Sequence, residues 1–316
     1  DEPIPVGADE IGFIRGGSSI LKDYSACPFR AFALYRLNVR EMTSPEMGLS
    51  YKERGAVVHE TLKFFWEEVR TSERLKGLAA SKDLTRFVEK AAQTALKRYF
   101  SEGIKPSRYL ELEKERVSAL VLEWLLLEAQ RTVFRVMEIE TERTIEIGGL
   151  KLSARIDRID EVSKGKTVVI DYKTGPCDRR HWLTGRPKEP QLLLYSLTED
   201  PGFEAVAFAS VRVKNARFVG VSKDGDALIG VKAVKDDKWT LDIEGVKTWE
   251  DLRERWKETL VLLARGFIEG INVVDPNGNL KGADHPCEYC RLKTFCRVFL
   301  SGRASRGDDD MEVLEE

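Results

Sequence analysis

The feature that most constrains this chain is a change of hydrophobic period near residue 138. Upstream, apolar residues recur at the spacing of amphipathic helices. Ile20, Leu21, Tyr24, Phe29, Phe32 and Ala33 mark one run over 19–37, with Ser18 or Ser19 as N-cap and Pro28 as a break, which puts Cys27 at a helix junction. Residues 53–70 turn Val57, Val58, Leu62, Phe65, Trp66 and Val69 inward and carry His59 in their first turns. Two more helices are predicted over 82–100 and 109–137. Downstream the period becomes two. Residues 138–147 alternate charge with Ile139, Ile145 and Ile147, Gly148-Gly149 reads as a hairpin turn, and 150–161 continue through Leu152, Ala154, Ile156 and Ile159. After a second turn at Lys164-Gly165, the nearly all-apolar segment 167–172 reads as a central strand. A helix over 190–197, a strand over 204–213, further strands or hairpins over 216–243 and an amphipathic helix over 247–269 complete the pattern. The order is helix, three strands, helix, strand, an α/β arrangement, and no internal repeat is present.

Charge and composition narrow the classes further. The 316 residues are 42% hydrophobic, enough for a sizeable core. Residues 307–316 hold six acids and no Lys or Arg, so the remaining 47 acids stand against all 51 basic residues, a mildly basic body of net +4 rather than a uniformly basic coat. A flexible or linker-like segment is predicted for 1–17, a single domain for 18–302 with a helical insertion at 71–137, and a disordered acidic tail for 303–316. The longest apolar stretch, 117–129, is broken by Ser118, Glu123 and Glu128 and falls short of the ~20 residues that span a bilayer, so no membrane partner is expected. The absence of an initiator Met and of a signal-peptide core points to a processed chain or a piece of a longer polypeptide. Three of five cysteines crowd into 287–296, unlike a secretory disulfide framework, and this predicts a cytoplasmic protein.

Four groups of residues can carry chemistry. Asp157 on the second strand and Asp171 at the end of the third are brought side by side by the hairpin, and such hard oxygen ligands suit Mg²⁺ or Mn²⁺. Lys173, two residues on, shares the face of Asp171. An Asp-x-Lys triplet alone is usually surface chemistry, but Asp171 directly follows Val168, Val169 and Ile170, where a buried carboxylate needs a partner or a metal. His59 is a candidate imidazole ligand, against the commoner role of a satisfied core histidine. Gln191 and Tyr195, at i and i+4, share a helix face from which an amide and a phenol reach a phosphate or the lysine. Finally, Cys287, Cys290 and Cys296, with Cys27 from the opposite end, can close one centre: a [4Fe–4S] cluster, a Zn²⁺ site or a coincidence of buried thiols. Cys177 stands apart. Arg30, Tyr35, Arg36, Tyr289, Arg291 and Lys293 around the centre are either a single-stranded DNA surface or solvated side chains.

Several activities are excluded. Gly165-Lys166-Thr167 ends like a phosphate loop, but Asp160 stands where the first Gly is needed. A zinc-protease H-E-x-x-H would need His at the position of Lys63, and Gly16-Gly17-Ser18-Ser19-Ile20 lacks the second Gly of a nucleophile elbow.

Taken together, GAVVHE around His59, ARIDRID around Asp157, VVIDYKTG around Asp171 and Lys173, QLLLY from Gln191 to Tyr195, and the bracket of Cys27 with C-x2-C-x5-C resemble the PD-(D/E)xK nuclease superfamily. Within it they resemble the RecB-like branch with an iron–sulfur cluster, that of the AddB nuclease domain and the CRISPR-associated adaptation nucleases. The likeness runs from Ser18 to about Phe299. It implies a restriction-endonuclease-like αβββαβ core with a mixed central sheet flanked by helices. It implies that His59, Asp157, Asp171 and the carbonyl of Tyr172 hold a divalent metal, that Lys173 stabilises the transition state, and that Gln191 and Tyr195 complete the site. Cys27, Cys287, Cys290 and Cys296 would hold the cluster, as a staple rather than a redox centre. Ala154 departs from the Gly often found before Arg-Ile-Asp, and the insertion at 71–137 matches only loosely. The implied activity is metal-dependent DNA hydrolysis, by an exonuclease or end-processing domain favouring single strands, with a helicase as partner or fusion. The alternative is a catalytically silent DNA-binding or scaffold module of a helicase–nuclease complex.

Overall fold

Before the sheet come α1 (Ser19–Ala26), the short α2 (Pro28–Ala31), α3 (Tyr51–Val69), α4 (Ser72–Ala80), α5 (Leu84–Tyr99) and α6 (Ser107–Glu128). These coordinates are a computed structural model that describes residues 3, 5–7, 14–40, 48–99, 107–163, 165–197, 203–225, 227–278, 282 and 285–297. The acidic tail expected at 303–316 lies outside the described residues, as does most of segment 1–17. Within that segment Val6 is buried and its N–H donates to the Ile268 carbonyl.

One mixed sheet follows, in the order β1 (Arg135–Ile147), β2 (Leu150–Ser163), β3 (Lys166–Lys173), β4 (Phe203–Ser210), β5 (Arg217–Ser222) and β6 (Lys232–Ala233). β1, β2 and β3 run antiparallel in sequence, whereas β3 and β4 are parallel and are connected through α7 (Gln191–Ser196). A strand that must pair with a parallel neighbour needs such a crossover. β3 is therefore central, as its apolar sequence predicts. After β6 come α8 (Lys238–Leu241), α9 (Trp249–Ile268) and α10 (Lys293–Cys296).

Each sheet face has its own core. On one, Phe65 and Trp66 of α3, Val88 and Ala92 of α5 and Val121 and Trp124 of α6 join a cluster with Val168, Ile170 and Tyr172 of β3 and Ala205, Ala207 and Ala209 of β4. On the other, Ile20 and Leu21 of α1, Leu192–Leu194 of α7 and Trp256 and Leu260 of α9 join Ala154, Ile156, Val169 and Phe208. Period-two alternation along β3 and β4 deals their side chains to the two sides. The fold is thus the helix-covered mixed sheet that the restriction-endonuclease-like expectation describes.

Two segments depart from the periodicity. The helix predicted over 109–137 ends at Glu128, and β1 begins at Arg135. The apolar pattern runs on, but Glu128 and Arg131 are drawn into a buried charge network, and Arg135 and Val136 pair with Glu161 and Asp160, so the chain turns and enters the sheet. Of the strands expected over 216–243, only β5 and the two-residue β6 form among the described residues, and α8 takes the end of that stretch.

The network is fully internal. Arg158 of β2 donates to Glu128 (2.7 Å) and to both oxygens of Asp160 (2.6 and 2.7 Å), Arg131 donates to Glu128 (2.7 Å) and Asp160 (2.8 Å), and Arg158 also reaches the Tyr172 hydroxyl at 3.1 Å. Two guanidinium groups offset two carboxylates, and the Arg158 plane lies 3.9 Å from the Trp66 ring centroid. Buried charges are tolerated when they are paired in this way.

Candidate metal centre and catalytic cleft

The site is built where the alternation of β2 slips. Ala154, Ile156 and Ile159 all join the core beneath α9, whereas Arg158 lies against Trp66 on the opposite side. Asp157 sits at the slip. Opposite it on β1, Ile139 pairs with Arg158 and Thr141 with Ile156, and the intervening Glu140 has φ +52°. A left-handed non-glycine residue within a strand is strained, and such strain gathers at functional positions. On the other side Arg158 pairs with Ile170, and one more step of that antiparallel register sets Asp157 against Asp171. Glu140, Asp157 and Asp171 therefore stand in a row across three strands.

His59 comes down on this row from α3. The helix is started by a capping box in which Ser50 accepts from the Glu53 N–H and the Glu53 carboxylate accepts from the Ser50 N–H. Two turns on, His59 Nδ1 lies 3.3 Å from Asp157 Oδ2, and its ring meets Tyr172 edge-on. Asp157 Oδ2 also accepts the Tyr172 N–H at 2.8 Å. One ligand atom each from His59, Glu140 and Asp157 lie within 4.8 Å of one another. An imidazole and two desolvated carboxylates are a donor set that fits a hard divalent cation.

The electrostatics agree. Burial disfavours the His59 imidazolium, but Asp157 and Asp171 outweigh it and push His59 up to about 9. Burial would raise Asp157, yet His59 and the Tyr172 N–H hold it below the usual carboxylate range. Asp171 is pushed up to about 6 by burial, against Lys173 and with Asp157 adding to the rise. Glu140 is raised by burial and by Asp157. Lys173 sits 2.6 Å from Asp171 Oδ2 and 3.8 Å from Glu189, and these acids keep its ammonium charged despite burial.

The structure thus brings His59, Asp157, Asp171, Tyr172 and Lys173 together. Gln191 and Tyr195 are joined to each other (2.6 Å), but their shared partner is the Arg155 carbonyl, to which Gln191 Nε2 donates at 3.0 Å and the Tyr195 hydroxyl also donates. Tyr195 is buried, and this pair braces β2 two residues before Asp157. Glu140, its ion-pair partner Arg155, and Glu189, which links Lys22 (2.7 Å) to Lys173, escape a reading of the sequence. Glu140 looks like one more charge in an alternating strand, and only its backbone reversal aims it inward.

Over this row opens a cleft of about 970 Å³, with α3 as one wall. Lys22, Lys52, Arg98 and Arg155 line it beside the acids, and Gln191 reaches its edge. A concave site with acids at its floor and cations on its walls suits an anion brought to a metal.

A second group lies elsewhere. Cys27, at the α1–α2 junction, lines one small cavity with Cys287, Cys290 and Cys296. Burial and then the three neighbouring thiols push Cys287 above its ordinary value, a mutual penalty that a bound cation would reverse. Cys177 packs at the other core. Of the flanking residues expected to face DNA, Arg30 pairs with Asp23 at 2.9 Å and the Tyr35 hydroxyl donates to the same carboxylate at 2.6 Å, whereas Tyr289 is exposed.

Comparison with known proteins fits this geometry. The chain is 23% identical to an ATP-dependent helicase/deoxyribonuclease subunit of Desulforudis audaxviator (strain MP104C), over 88% of this chain and 29% of that relative, so it spans less than a third of the relative's length. The likeness to the crystal structure of SSO0001 is distant, with 19% identity and a TM-score of 0.30 over 75% of this chain and 84% of that one. The family model of the PD-(D/E)XK nuclease superfamily spans residues 18–297, across both the acidic row and the cysteine centre, and the chain belongs to that superfamily.

Proposed function

We propose that this chain hydrolyses phosphodiester bonds in DNA with Mg²⁺ or Mn²⁺, as an exonuclease or end-processing domain in repair or recombination. The observation that carries this reading is the meeting of His59, Asp157, Asp171 and Lys173 in one cleft from three separate elements, α3, β2 and β3. His59, Asp157, Asp171 and the Tyr172 carbonyl would hold the metal, with Glu140 beside them. A divalent ion there supplies positive charge next to the scissile phosphate. Lys173, held by Asp171 and Glu189, offers its ammonium to the charge that develops on the phosphoryl oxygens. Gln191 and Tyr195 hold the Arg155 carbonyl and so fix the strand that presents Asp157. The similarity to part of a helicase/deoxyribonuclease supports a helicase partner or fusion and a cytoplasmic setting.

We assign the four-cysteine centre to a [4Fe–4S] cluster, with Zn²⁺ as the alternative that suits the same thiolates. Protein purified without oxygen is expected to be brown and to contain iron. Colourless protein with one equivalent of zinc selects the alternative.

The decisive experiment is Asp171→Ala and Lys173→Ala against labelled DNA in Mg²⁺ or Mn²⁺. Each is expected to abolish degradation while DNA binding persists. Cleavage at the wild-type rate in either variant refutes the site, and a wild type that binds without cutting selects the silent scaffold.

A further inference from the structure

α3 does more than deliver His59. Tyr51, Lys52, Gly55, Ala56, His59 and Glu60 all line the cleft, a spacing that makes one continuous helix face. Tyr51, its first residue, is 90% exposed, more than any other large apolar or aromatic side chain among the described residues. Single exposed apolar residues are ordinary, so the position is what matters. Eight residues separate Tyr51 from His59, about 12 Å along the axis. Between them on this stripe stand Lys52, the next residue after Tyr51, and then the small Gly55 and Ala56. A strand laid along α3 meets an aromatic face, then a low surface, then the acidic row, with cations on the walls.

Resting on the nuclease reading, we propose that Tyr51 is a specificity-determining residue: its ring stacks on an unpaired base and feeds a single DNA strand along α3 to the metal. Inside a duplex the base faces are covered by their neighbours, so away from the ends an isolated ring has nothing to stack on except an unpaired base. Lys52 then meets the backbone phosphate next to that base. Gly55 lets α3 pack closely beside the end of β3, since a Cβ there would lie 3.1 Å from the Thr174 hydroxyl.

The test compares the full chain with Tyr51→Ala, Tyr51→Phe and Lys52→Ala. Fluorescence anisotropy follows a labelled oligothymidylate of about 20 nucleotides and a blunt duplex of equal length, in Ca²⁺ and with the DNA verified intact afterwards. Tyr51→Ala is expected to weaken single-strand binding about tenfold, within the range for one base on one aromatic ring, with duplex binding and thermal melting unchanged. Tyr51→Phe keeps wild-type affinity because the ring face remains. Lys52→Ala weakens both DNAs and lowers the salt slope by about one. Wild-type single-strand affinity in Tyr51→Ala, or an equal loss on single strand and duplex, overturns the assignment. Cleavage by wild type in Mg²⁺ is scored separately: a protein that binds through Tyr51 and never cuts refutes the nuclease reading and upholds the stacking site.

Discussion

At the scale of residues, the candidate metal site holds a proton. With an ordinary value of 6.5 and a folded value of about 9, His59 is an imidazolium at neutral pH, and its charge steadies Asp157. The sign follows: this contribution to stability is present in full below 6.5 and is lost as pH rises through about 9. A metal needs the neutral imidazole and must displace that proton. Mn²⁺ affinity is therefore expected to climb about tenfold per pH unit from neutrality toward 9, with close to one proton released per ion. Calorimetry in buffers of different ionisation enthalpy counts that proton, and His59→Asn should flatten the dependence. No proton release at pH 7.5 would contradict the assignment. Asp157, Asp171, Lys173 and His59 were legible as candidates because the short runs around them, taken in order, resemble the superfamily's motifs, although no one run does so by itself. Glu140 was not, since a positive φ leaves no trace in an alternating pattern.

Elements show what positions those residues. The hairpin of β1 and β2 and the central place of β3 follow from glycine turns and an apolar run, and both are read directly from the sequence. The end of α6 is not, because Glu128 and Arg131 satisfy a helix pattern equally well and only their partners on β2 show why the helix stops. That network ties α6 to the strand carrying Asp157 and, through the Tyr172 hydroxyl, to β3. Arg158→Met removes one guanidinium and leaves Glu128 and Asp160 buried with Arg131 alone. The expected loss is about 3–5 kcal/mol, the cost of breaking a buried pair on one side. Urea denaturation measures it as a lower midpoint at unchanged slope. A shift under about 1 kcal/mol would mean that apolar packing around Trp66 and Trp124, rather than charge pairing, sets where α6 meets the sheet.

Across the whole molecule the two ends of the described chain close on each other. Arg186 binds the Ser25 carbonyl at 2.8 Å and the Asp275 carboxylate at 2.9 Å, and the Asn277 N–H donates to the Ala26 carbonyl at 2.8 Å, so Cys27 is steered toward Cys287–Cys296 by contacts independent of any ion. The sequence displays the cysteine spacing but not this clasp, which combines one arginine in the loop before α7 with a backbone bond from Asn277. A centre that joins residue 27 to 287–296 closes a loop of roughly 260 residues, and chain-entropy reasoning gives such a closure about 5 kcal/mol. The acidic row lies apart from that cavity, with no lining residue in common. With iron or zinc held there as proposed, Cys290→Ser is therefore expected to lose it and to lower thermal stability steeply. Mn²⁺ binding at His59 and Asp157 should persist at temperatures where the variant remains folded. Metal analysis, melting by circular dichroism and Mn²⁺ titration on the same preparation separate these effects. If Cys290→Ser melted like wild type, the cysteines would not be a staple. If it lost Mn²⁺ binding while still folded, the two centres would be coupled through α1 and the loop around Glu189, not independent.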